Sequence, residues 1–456
     1  MNYATASERH SRRQRLARTL PETPVLLAAG GLRGRNYAAN PYPYRASSHF
    51  LYLAGEGIPG AYLLVNGEQH LAFLPKASDD DALWHGPSPS HDDWAERLGC
   101  PVRPLAELPL AIPPNTATLV PSDPAATLEL EVLLGRSLEA AHHTENDARL
   151  RDAMIELRLR HDEAAQRGLR AAADSTVTAH KAGMRATRPG RHEWEIKAAM
   201  EHAIGAHGLT TSYPPIVTVH GEILHNHHYA NRLALGDILL ADVGAESHDG
   251  WAGDVTRSWP VSGTFDGPQR EIYTAVLRAQ KAAIACCRPG VRYRDVHLSA
   301  CHSLAEDLVA LGILQGDPAS LVADGVHALF FPHGVGHLLG LDVHDMEDLG
   351  DHAGYGAERQ RDAQFGLSYL RLDRDLEAGM AVTIEPGFYQ VPALLQDPKR
   401  RAAVGDRVSW DQLSKFASVR GIRIEDDILI TAKDPQILTA DAPRDLDELQ
   451  AAVGDS

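Results

Sequence analysis

Short apolar runs separated by turn residues fill the first part of the chain. They are VLLAAG (25–30), HFLYLAG (49–55), AYLLV (61–65), HLAFLP (70–75) and ATLVPS (117–122), and a helix-like stretch, SERHSRRQRLARTL (7–20), precedes them. Runs of this length bounded by turn signals, together with a helix, form a mixed α/β pattern. The pattern predicts an N-terminal mixed α/β domain over residues 1–145.

From about residue 144 the amino-acid composition and the spacing of apolar residues change. A charged segment rich in alanine and leucine begins there, and Leu150, Met154, Leu157 and His161 recur in it at helical spacing. We therefore expect a domain boundary just before this segment and a second domain over residues 146–456.

The second domain contains a repeated feature. The tripeptide RPG occurs at 188–190 and again at 288–290, and each copy leads into an amphipathic helix that ends near a glycine, Gly208 or Gly312. Glycine at these positions suits a left-handed helix C-terminus. Because the flanking helices match as well, the pattern favours internal duplication over chance recurrence of a tripeptide.

Strand-like runs follow both repeat helices. They are PPIVTV (214–219), DILLADVG (237–244), ALFFPHG (328–334), MAVTIEPGFY (380–389) and IRIEDDILIT (422–431). The second domain is therefore expected to be α/β as well.

The net charge of the protein limits the kinds of molecule that it is expected to bind. With 61 acidic and 44 basic residues among 456, the formal net charge is -17, which argues against nucleic acid and against an anionic membrane surface. The basic N-terminus lacks an apolar signal region, and no run of about 18 apolar residues follows. We expect a cytoplasmic protein that acts on small molecules or peptides, with its cysteines reduced and mainly structural.

Acidic residues interrupt several of the apolar strands. Asp242 and Asp254 lie on the two arms of a predicted hairpin with its turn at 247–250, while Glu385 and Glu425 lie in two later strands. One such acid usually reflects a cap, an ion pair or a strand edge. Several in one domain indicate a cation site, because buried carboxylates must be neutralised. Their number suits two divalent ions that share bridging carboxylates.

The stretch FPHGVGHLLGLDVHD contains His333, His337 and His344. Its HGVGH has the spacing of a helical zinc motif but lacks the glutamate of HExxH, and its glycines weaken a helix. Taken alone, the spacing is a weak signal for metal binding.

A family resemblance connects these features. GDVTRSWP, HGVGHLLGLDVHD, TIEPGFY and GIRIEDD, in this order, resemble the pita-bread proline-specific metallopeptidases, which comprise Xaa-Pro dipeptidase (prolidase) and aminopeptidase P. NPYPYRASSHFLYLAG resembles the N-terminal domain of that family. The resemblance implies a mixed α/β N-terminal domain followed by an internally duplicated catalytic domain of the creatinase and methionine aminopeptidase type.

Residue roles follow from the resemblance. It implies that the ligands of two divalent metal ions, manganese or alternatively zinc or cobalt, are Asp242, Asp254, His337, Glu385 and Glu425. It implies substrate-side or transition-state roles for His225, His333, His344, Arg423 and Tyr389. The segment before His225 is shorter than the family pattern, and we expect the adjacent His227 and His228 to lie in a solvated loop.

The implied activity is hydrolysis of the Xaa-Pro imide bond by a hydroxide that bridges the two metals, with Glu385 transferring its proton. Phe330, His225 and His333 are predicted to line the proline pocket. Trp84 falls on a family tryptophan that reaches the partner's active site, which implies a homodimer.

Two substrate preferences remain open. Arg371, in GLSYLRLDRDLEAGM, matches the arginine that holds a dipeptide's free carboxylate, and arginine binds carboxylates in a bidentate manner. We therefore expect a dipeptidase, with an aminopeptidase for longer peptides as the alternative; a surface ion pair is the other interpretation of Arg371. A non-catalytic peptide-binding relative or a metal-free hydrolase such as creatinase would be expected to have lost metal ligands.

Overall fold

A computed structural model describes residues 3–77 and 81–454 of the chain. It divides into two compact units, Met1–Leu159 with Glu163–Ala165, and Arg160–Asp162 with Gln166–Ser456. The helix at Glu145–Leu159 belongs to the first unit. The domain boundary at 145/146 stays a prediction.

The first unit combines helices with one sheet. Its helices are α1 (Ala6–Thr19), α2 (Ser48–Ala54), α3 (Asp81–His85), α4 (His91–Leu98), α5 (Leu108–Ala111), α6 (Pro124–Leu134) and α7 (Glu145–Leu159). Its strands are β1 (Val25–Ala28), β2 (Tyr62–Asn66), β3 (Gln69–Leu74) and β4 (Val102–Pro104).

The sheet of the first unit has the order β1-β2-β3-β4, with the first three strands antiparallel and β4 parallel to β3. One of its faces buries Leu26, Leu64 and Phe73 in a core that also contains Leu130 from α6. The apolar run 49–55 lies within α2 and ends at Gly55, which has a φ of +77°. The predicted mixed α/β pattern of this unit is thus confirmed.

The second unit is larger. Its helices are α8 (Glu163–Ala186, of which Glu163–Ala165 count with the first unit), α9 (Glu193–Ala206), α10 (Gly267–Cys286), α11 (Tyr293–Ala310), α12 (Pro318–Ala323), α13 (Asp351–Tyr355), α14 (Pro392–Leu395), α15 (Pro398–Val404), α16 (Trp410–Ser414) and α17 (Leu446–Ala452). Its strands are β5 (Thr210–Thr211), β6 (Ile216–Thr218), β7 (Ile238–Asp242), β8 (Ala245–Glu246), β9 (Thr256–Pro260), β10 (Ala381–Ile384), β11 (Gly387–Tyr389), β12 (Gly421–Arg423), β13 (Asp426–Leu429) and β14 (Gln436–Ile437).

The two RPG copies occupy equivalent places in the second unit. Gly190 and Gly290 both have positive φ, +91° and +83°, and each precedes a repeat helix, α9 or α11. The glycines just after those helices, Gly208 and Gly312, are left-handed as predicted. Each half then contributes an antiparallel sheet, β6-β7-β9 in the first half and β10-β13-β14 in the second.

One predicted strand is wrong. The run ALFFPHG (328–334) forms no strand; its start lies in a 3-10 helix, Val326–Leu329, in which the Ala328 amide bonds the Gly325 carbonyl. A short buried apolar run does not by its spacing distinguish a strand from a helical turn. Within 3–77 and 81–454, no helix combines the length and the apolar character needed to span a bilayer.

Candidate metal centre and substrate pocket

Sheet pairing brings the acidic residues of the second unit together. Strand β7 pairs with β9 so that Asp242 lies opposite Thr256, and Asp254 comes two residues before β9. Glu385 joins β10 to β11, and Glu425 joins β12 to β13. Because β10 pairs with β13 and β11 with β12, these two junctions lie side by side.

The convergence is tight around His337. Ligand atoms of Asp254, His337 and Glu425 all lie within 4.8 Å of one another, and these side chains are buried. The Nε2 atom of His337 is 3.4 Å from an Asp254 carboxylate oxygen and 3.3 Å from a Glu385 oxygen. The structure therefore brings these predicted metal ligands to one point.

Asp242 is tied to this group by a residue that the sequence did not reveal. The Tyr213 hydroxyl is 2.5 Å from a carboxylate oxygen of Asp242 and 2.5 Å from one of Asp254. A phenol carries one hydrogen and can donate to only one carboxylate at a time. The pair therefore needs a further proton or a cation between its oxygens.

Neighbouring groups orient the ligands. The Nδ1–H of His337 donates to the Leu338 carbonyl at 3.0 Å, which leaves the Nε2 lone pair directed at the carboxylates. The Thr256 hydroxyl donates to Glu425 at 2.6 Å, and Arg423 donates to Asp242 at 2.6 Å.

The electrostatics of the cluster fit a cation site. Burial, and then the neighbouring carboxylates, raises the pKa of Asp254 and raises that of Glu425 well above the ordinary range; burial likewise raises the pKa of Glu385. These raised pKa values mean that the positively charged side chains nearby do not neutralise the carboxylates of the cluster. Oxygen-rich ligands with one imidazole suit hard or borderline divalent ions, so the donor set fits two such metals.

A second group of residues lies beside the carboxylates. The Tyr389 hydroxyl donates to the Nε2 atom of His333 at 2.9 Å and accepts from Arg423 at 3.1 Å, while the Nδ1–H of His333 donates to the Gly334 carbonyl at 2.8 Å. Burial lowers the pKa of His333 to about 3, so its imidazole is neutral. Tyr389 thus connects His333 to the arginine that holds Asp242.

The third group surrounds His344. Its ring lies edge-on to that of His337, with centroids 4.2 Å apart, and its Nδ1 is 3.5 Å from a Glu347 oxygen. Arg371 pairs with the same carboxylate oxygen at 2.6 Å. Glu347 therefore links a predicted catalytic histidine to the predicted carboxylate-binding arginine.

One cavity of about 580 Å³ joins these groups. Predicted site residues that line it are Asp242, Asp254, His337, Glu385, Glu425, His225, His333, His344, Arg371 and Arg423. Arg361 and Tyr369 also line it and were not predicted. His227, expected in a solvated loop, is exposed but contributes to the cavity wall.

Three other predicted residues lie elsewhere. Tyr389 is buried behind His333. Phe330 was expected to line the proline pocket, but it is not among the residues that line the cavity. Its side chain is buried and stacks on Phe388, with ring centroids 5.3 Å apart. Trp84 lies on α3 of the first unit and is 75% exposed, whereas the cavity is built from the second unit.

A duplicated α/β unit whose sheets converge on buried carboxylates and an imidazole, in the wall of a cavity of about 580 Å³, fits a metal-dependent hydrolase. Residues 167–432 match the model of metallopeptidase family M24, and residues 10–118 match that of the aminopeptidase P N-terminal domain. The chain belongs to metallopeptidase family M24, and the resemblance drawn from its motifs is confirmed.

Relatives and solved structures agree with this assignment. The chain is 29% identical to human Xaa-Pro dipeptidase, covering 97% of this chain and 92% of the relative, and 30% identical to Xaa-Pro aminopeptidase of Escherichia coli, covering 99% of each. The aminopeptidase PepP of Pseudomonas aeruginosa superposes with a TM-score of 0.81 at 26% identity, covering 99% of this chain and 98% of that one. A zinc-substituted E. coli aminopeptidase P in complex with product gives a TM-score of 0.79 at 29% identity and 98% coverage of both chains. The predicted fold class is confirmed.

Proposed function

We propose that this protein hydrolyses the Xaa-Pro imide bond of peptides and acts as an Xaa-Pro dipeptidase. The observation that carries the proposal is the single cavity in which the carboxylate and imidazole cluster and Arg371 face the same space. A cavity whose wall carries both the proposed metal ligands and a guanidinium paired with Glu347 suits a short substrate with a free carboxylate.

Asp242, Asp254, His337, Glu385 and Glu425 would hold two divalent ions, which we propose are manganese, with zinc or cobalt as alternatives. When bound, such ions supply Lewis acidity that activates water and polarises a carbonyl oxygen. Side chains of the protein would carry out the proton transfer and bind the substrate.

Glu385 is the proposed proton carrier. Its carboxylate lies at the cavity wall, and burial raises its pKa, so it can hold a proton taken from the attacking water. It can then deliver that proton to the leaving nitrogen. This nitrogen belongs to proline, which has no N–H of its own, so the site need not satisfy a buried amide hydrogen.

His333 and His344 are proposed to contact the substrate on either side of the reacting bond. The neutral His333 donates its Nδ1–H to the Gly334 carbonyl and accepts from Tyr389 at Nε2, so its ring can contact the substrate without placing a charge beside the metals. His344 lies against His337 and can stabilise the oxygen that becomes negative. His225 is proposed to complete the wall around the proline ring.

Arg371 is proposed to bind the substrate's carboxylate. Its charge is close enough to lower the pKa of His225 and of His333, although burial is the main cause in both. A carboxylate entering the cavity would compete with Glu347 for this guanidinium.

The proposal is tested by measuring the rates at which the manganese-loaded protein hydrolyses Ala-Pro and Ala-Pro-Ala. We expect faster hydrolysis of Ala-Pro, and we expect Arg371→Ala to lower kcat/KM for the dipeptide roughly 10- to 100-fold, because a charge-assisted hydrogen bond is lost. Arg359→Ala is the matched control, since Arg359 pairs with Asp375 and does not line the cavity. Equal losses on both substrates would remove the proposed role of Arg371.

The alternative function is an aminopeptidase for longer Xaa-Pro peptides. It is favoured by the match to the aminopeptidase P N-terminal domain and by the close superposition on solved aminopeptidases. Faster cleavage of Ala-Pro-Ala than of Ala-Pro would select it. A metal-loaded protein inert towards both peptides would instead favour the non-catalytic interpretation.

We propose a homodimer in which Trp84 contacts the partner. Its 75% exposure leaves the indole open to such a contact. Light scattering of the wild type and of Trp84→Ala tests this, and a monomeric wild type would contradict it.

A further inference from the structure

A second cluster of potential metal ligands lies apart from the carboxylates. His297 and Cys301 are one helical turn apart on the same face of α11, and His327 lies in the 3-10 helix Val326–Leu329. Their ligand atoms all lie within 4.8 Å of one another, and the Cys301 Sγ is 3.3 Å from the His297 Nε2. None of these residues takes part in the proposed hydrolysis.

His327 is the unusual member of this cluster. Its side chain is 1% exposed, and neither ring nitrogen forms a hydrogen bond. Buried polar groups without partners are rare in folded proteins and costly. Loss of hydration lowers its pKa to about 4; the Leu321 backbone lies near enough to offset this in part but does not meet hydrogen-bond geometry, so the ring is neutral and a nitrogen lone pair is available.

A reactive cysteine is the first alternative, and the environment excludes it. Burial raises the pKa of the Cys301 thiol and lowers that of His297 to about 3. The pair is therefore a neutral thiol and a neutral imidazole, which does not act as a nucleophile. Both side chains are also fully shielded from solvent.

We propose that His297, Cys301 and His327 bind one zinc ion, separate from the metals of the carboxylate centre. Zinc accepts thiolate and imidazole ligands together, whereas manganese prefers oxygen. Tetrahedral zinc bonds of about 2.0–2.3 Å place a sulfur and a nitrogen ligand about 3.6 Å apart, close to the 3.3 Å between Cys301 and His297. The ion would replace the thiol proton, which would pass to solvent on binding.

The location gives this ion a role in positioning the pocket wall. The His297 ring packs on Phe331 with centroids 5.4 Å apart, and Phe331 packs edge-on against His333 at 4.9 Å. A zinc ion would fix α11 to the segment that carries His333 into the cavity. Its loss should therefore raise KM more than it lowers kcat.

Cobalt substitution tests the site in the full-length protein. Thiolate-to-cobalt charge transfer absorbs in the near ultraviolet, and the carboxylate centre contains no sulfur to produce such a band. With the carboxylate centre first filled with manganese, we expect a band that saturates at one further equivalent of Co²⁺, and zinc-edge X-ray absorption of the zinc-loaded protein should show a sulfur neighbour at about 2.3 Å.

Variants separate this site from the catalytic centre. Cys301→Ser should lose the band and one equivalent of zinc, while Cys287→Ser, which replaces another buried thiol at the end of α10, should keep both. If Cys301→Ser fails to fold, His327→Gln provides the same comparison. A wild type without a thiolate band or a sulfur neighbour would overturn the proposal and leave the cluster as a buried thiol–imidazole hydrogen bond.

Discussion

Arg423 shows how much of the site depends on one side chain outside the predicted metal-ligand set. It is 4% exposed and donates to Asp242 at 2.6 Å, to Thr256 at 2.9 Å and to the Tyr389 hydroxyl at 3.1 Å. Through these bonds it orients one predicted metal ligand and one partner of a predicted substrate-binding histidine. Groups of this kind fix the ligand geometry and tune its basicity.

Arg423→Gln should therefore weaken metal binding or activity by roughly 10- to 100-fold. Metal affinity by competition with a chelating dye, and kcat/KM on Ala-Pro, would measure the loss. Arg420→Gln is the control, because Arg420 bonds the His220 ring at an exposed site. A similar loss in both variants would show that the effect is not specific to the Arg423 contacts.

The carboxylates give the metal-free protein a pH-dependent stability. Burial raises the pKa of Asp254, so the folded form keeps a proton that the unfolded form has released above about pH 4. The free energy of unfolding then falls as pH rises, by up to about 1.4 kcal/mol per pH unit for one group, until the folded-state pKa is passed.

Urea unfolding of chelator-treated protein between about pH 6.5 and about pH 8 checks this when the wild type is compared with Asp254→Asn, because the contribution of the histidines, whose ordinary pKa is about 6.5, is common to both proteins. Asp254→Asn should show a shallower decline than the wild type. Equal slopes would mean that Asp254 carries no proton in the metal-free fold.

Sequence reasoning found the acids of the cluster but not the groups that hold them. Asp242 and Glu385 were visible because each interrupts an apolar strand. Tyr213 and Thr256 carry no such signal, since a tyrosine before PPIV or a threonine in a strand is ordinary. Tyr213 contacts an acid 29 residues away in the sequence, and Thr256 contacts one 169 residues away. Contacts over such distances depend on how the chain folds, which the local spacing of residues does not specify.

At the scale of elements, the HGVGH segment works as an extended loop rather than as a metal-binding helix. Its backbone follows β10, with the His337 carbonyl accepting from the Thr383 amide at 3.0 Å and the Val335 carbonyl accepting from the Glu385 amide at 2.7 Å. Gly336 lies between them, and a Cβ at this position would collide with the Thr383 backbone and the Tyr293 hydroxyl. Close backbone approach therefore explains this glycine.

Gly336→Ala should displace His337 and destabilise the fold by about 1–3 kcal/mol, the usual range for overpacking a tight site. Thermal unfolding and metal content would report the two effects separately. Gly205→Ala, at a helical position with open space around it, is the control and should cost nothing. An active Gly336→Ala with full metal content would contradict this account of the loop.

Elements with a regular pattern were predicted better than those without one. The repeat helices and the strand that ends at Asp242 occur as expected, whereas Glu385 and Glu425, expected within strands, each lie between two short strands. The run at 49–55 lies in a helix, and the run at 328–334, expected to be a strand, begins in a 3-10 helix, because neither run alternates apolar with polar positions. A run in which apolar and polar residues do not alternate shows neither the two-residue repeat of a strand nor the 3.6-residue repeat of a helix.

At the scale of the whole molecule, the ligands of the proposed metals all come from one of the two compact units. Divalent ions bind the folded state of that unit, so they should stabilise it by about 2.7 kcal/mol when the free metal exceeds the dissociation constant 100-fold. For a unit of this size the midpoint temperature of thermal unfolding should rise by roughly 4–5 °C. Calorimetry of chelated and manganese-reloaded protein measures the shift.

Hydrogen exchange then identifies which unit responds. Manganese should slow exchange in β7, β9, β10 and β13, whose ends carry the proposed ligands, because local opening of these strands must release the metal. Peptides from β1–β3 contain no proposed ligand and should exchange as before. Protection of β1–β3 equal to that of β7 would contradict a metal effect confined to the second unit, and unchanged exchange in both would contradict the proposed metal centre.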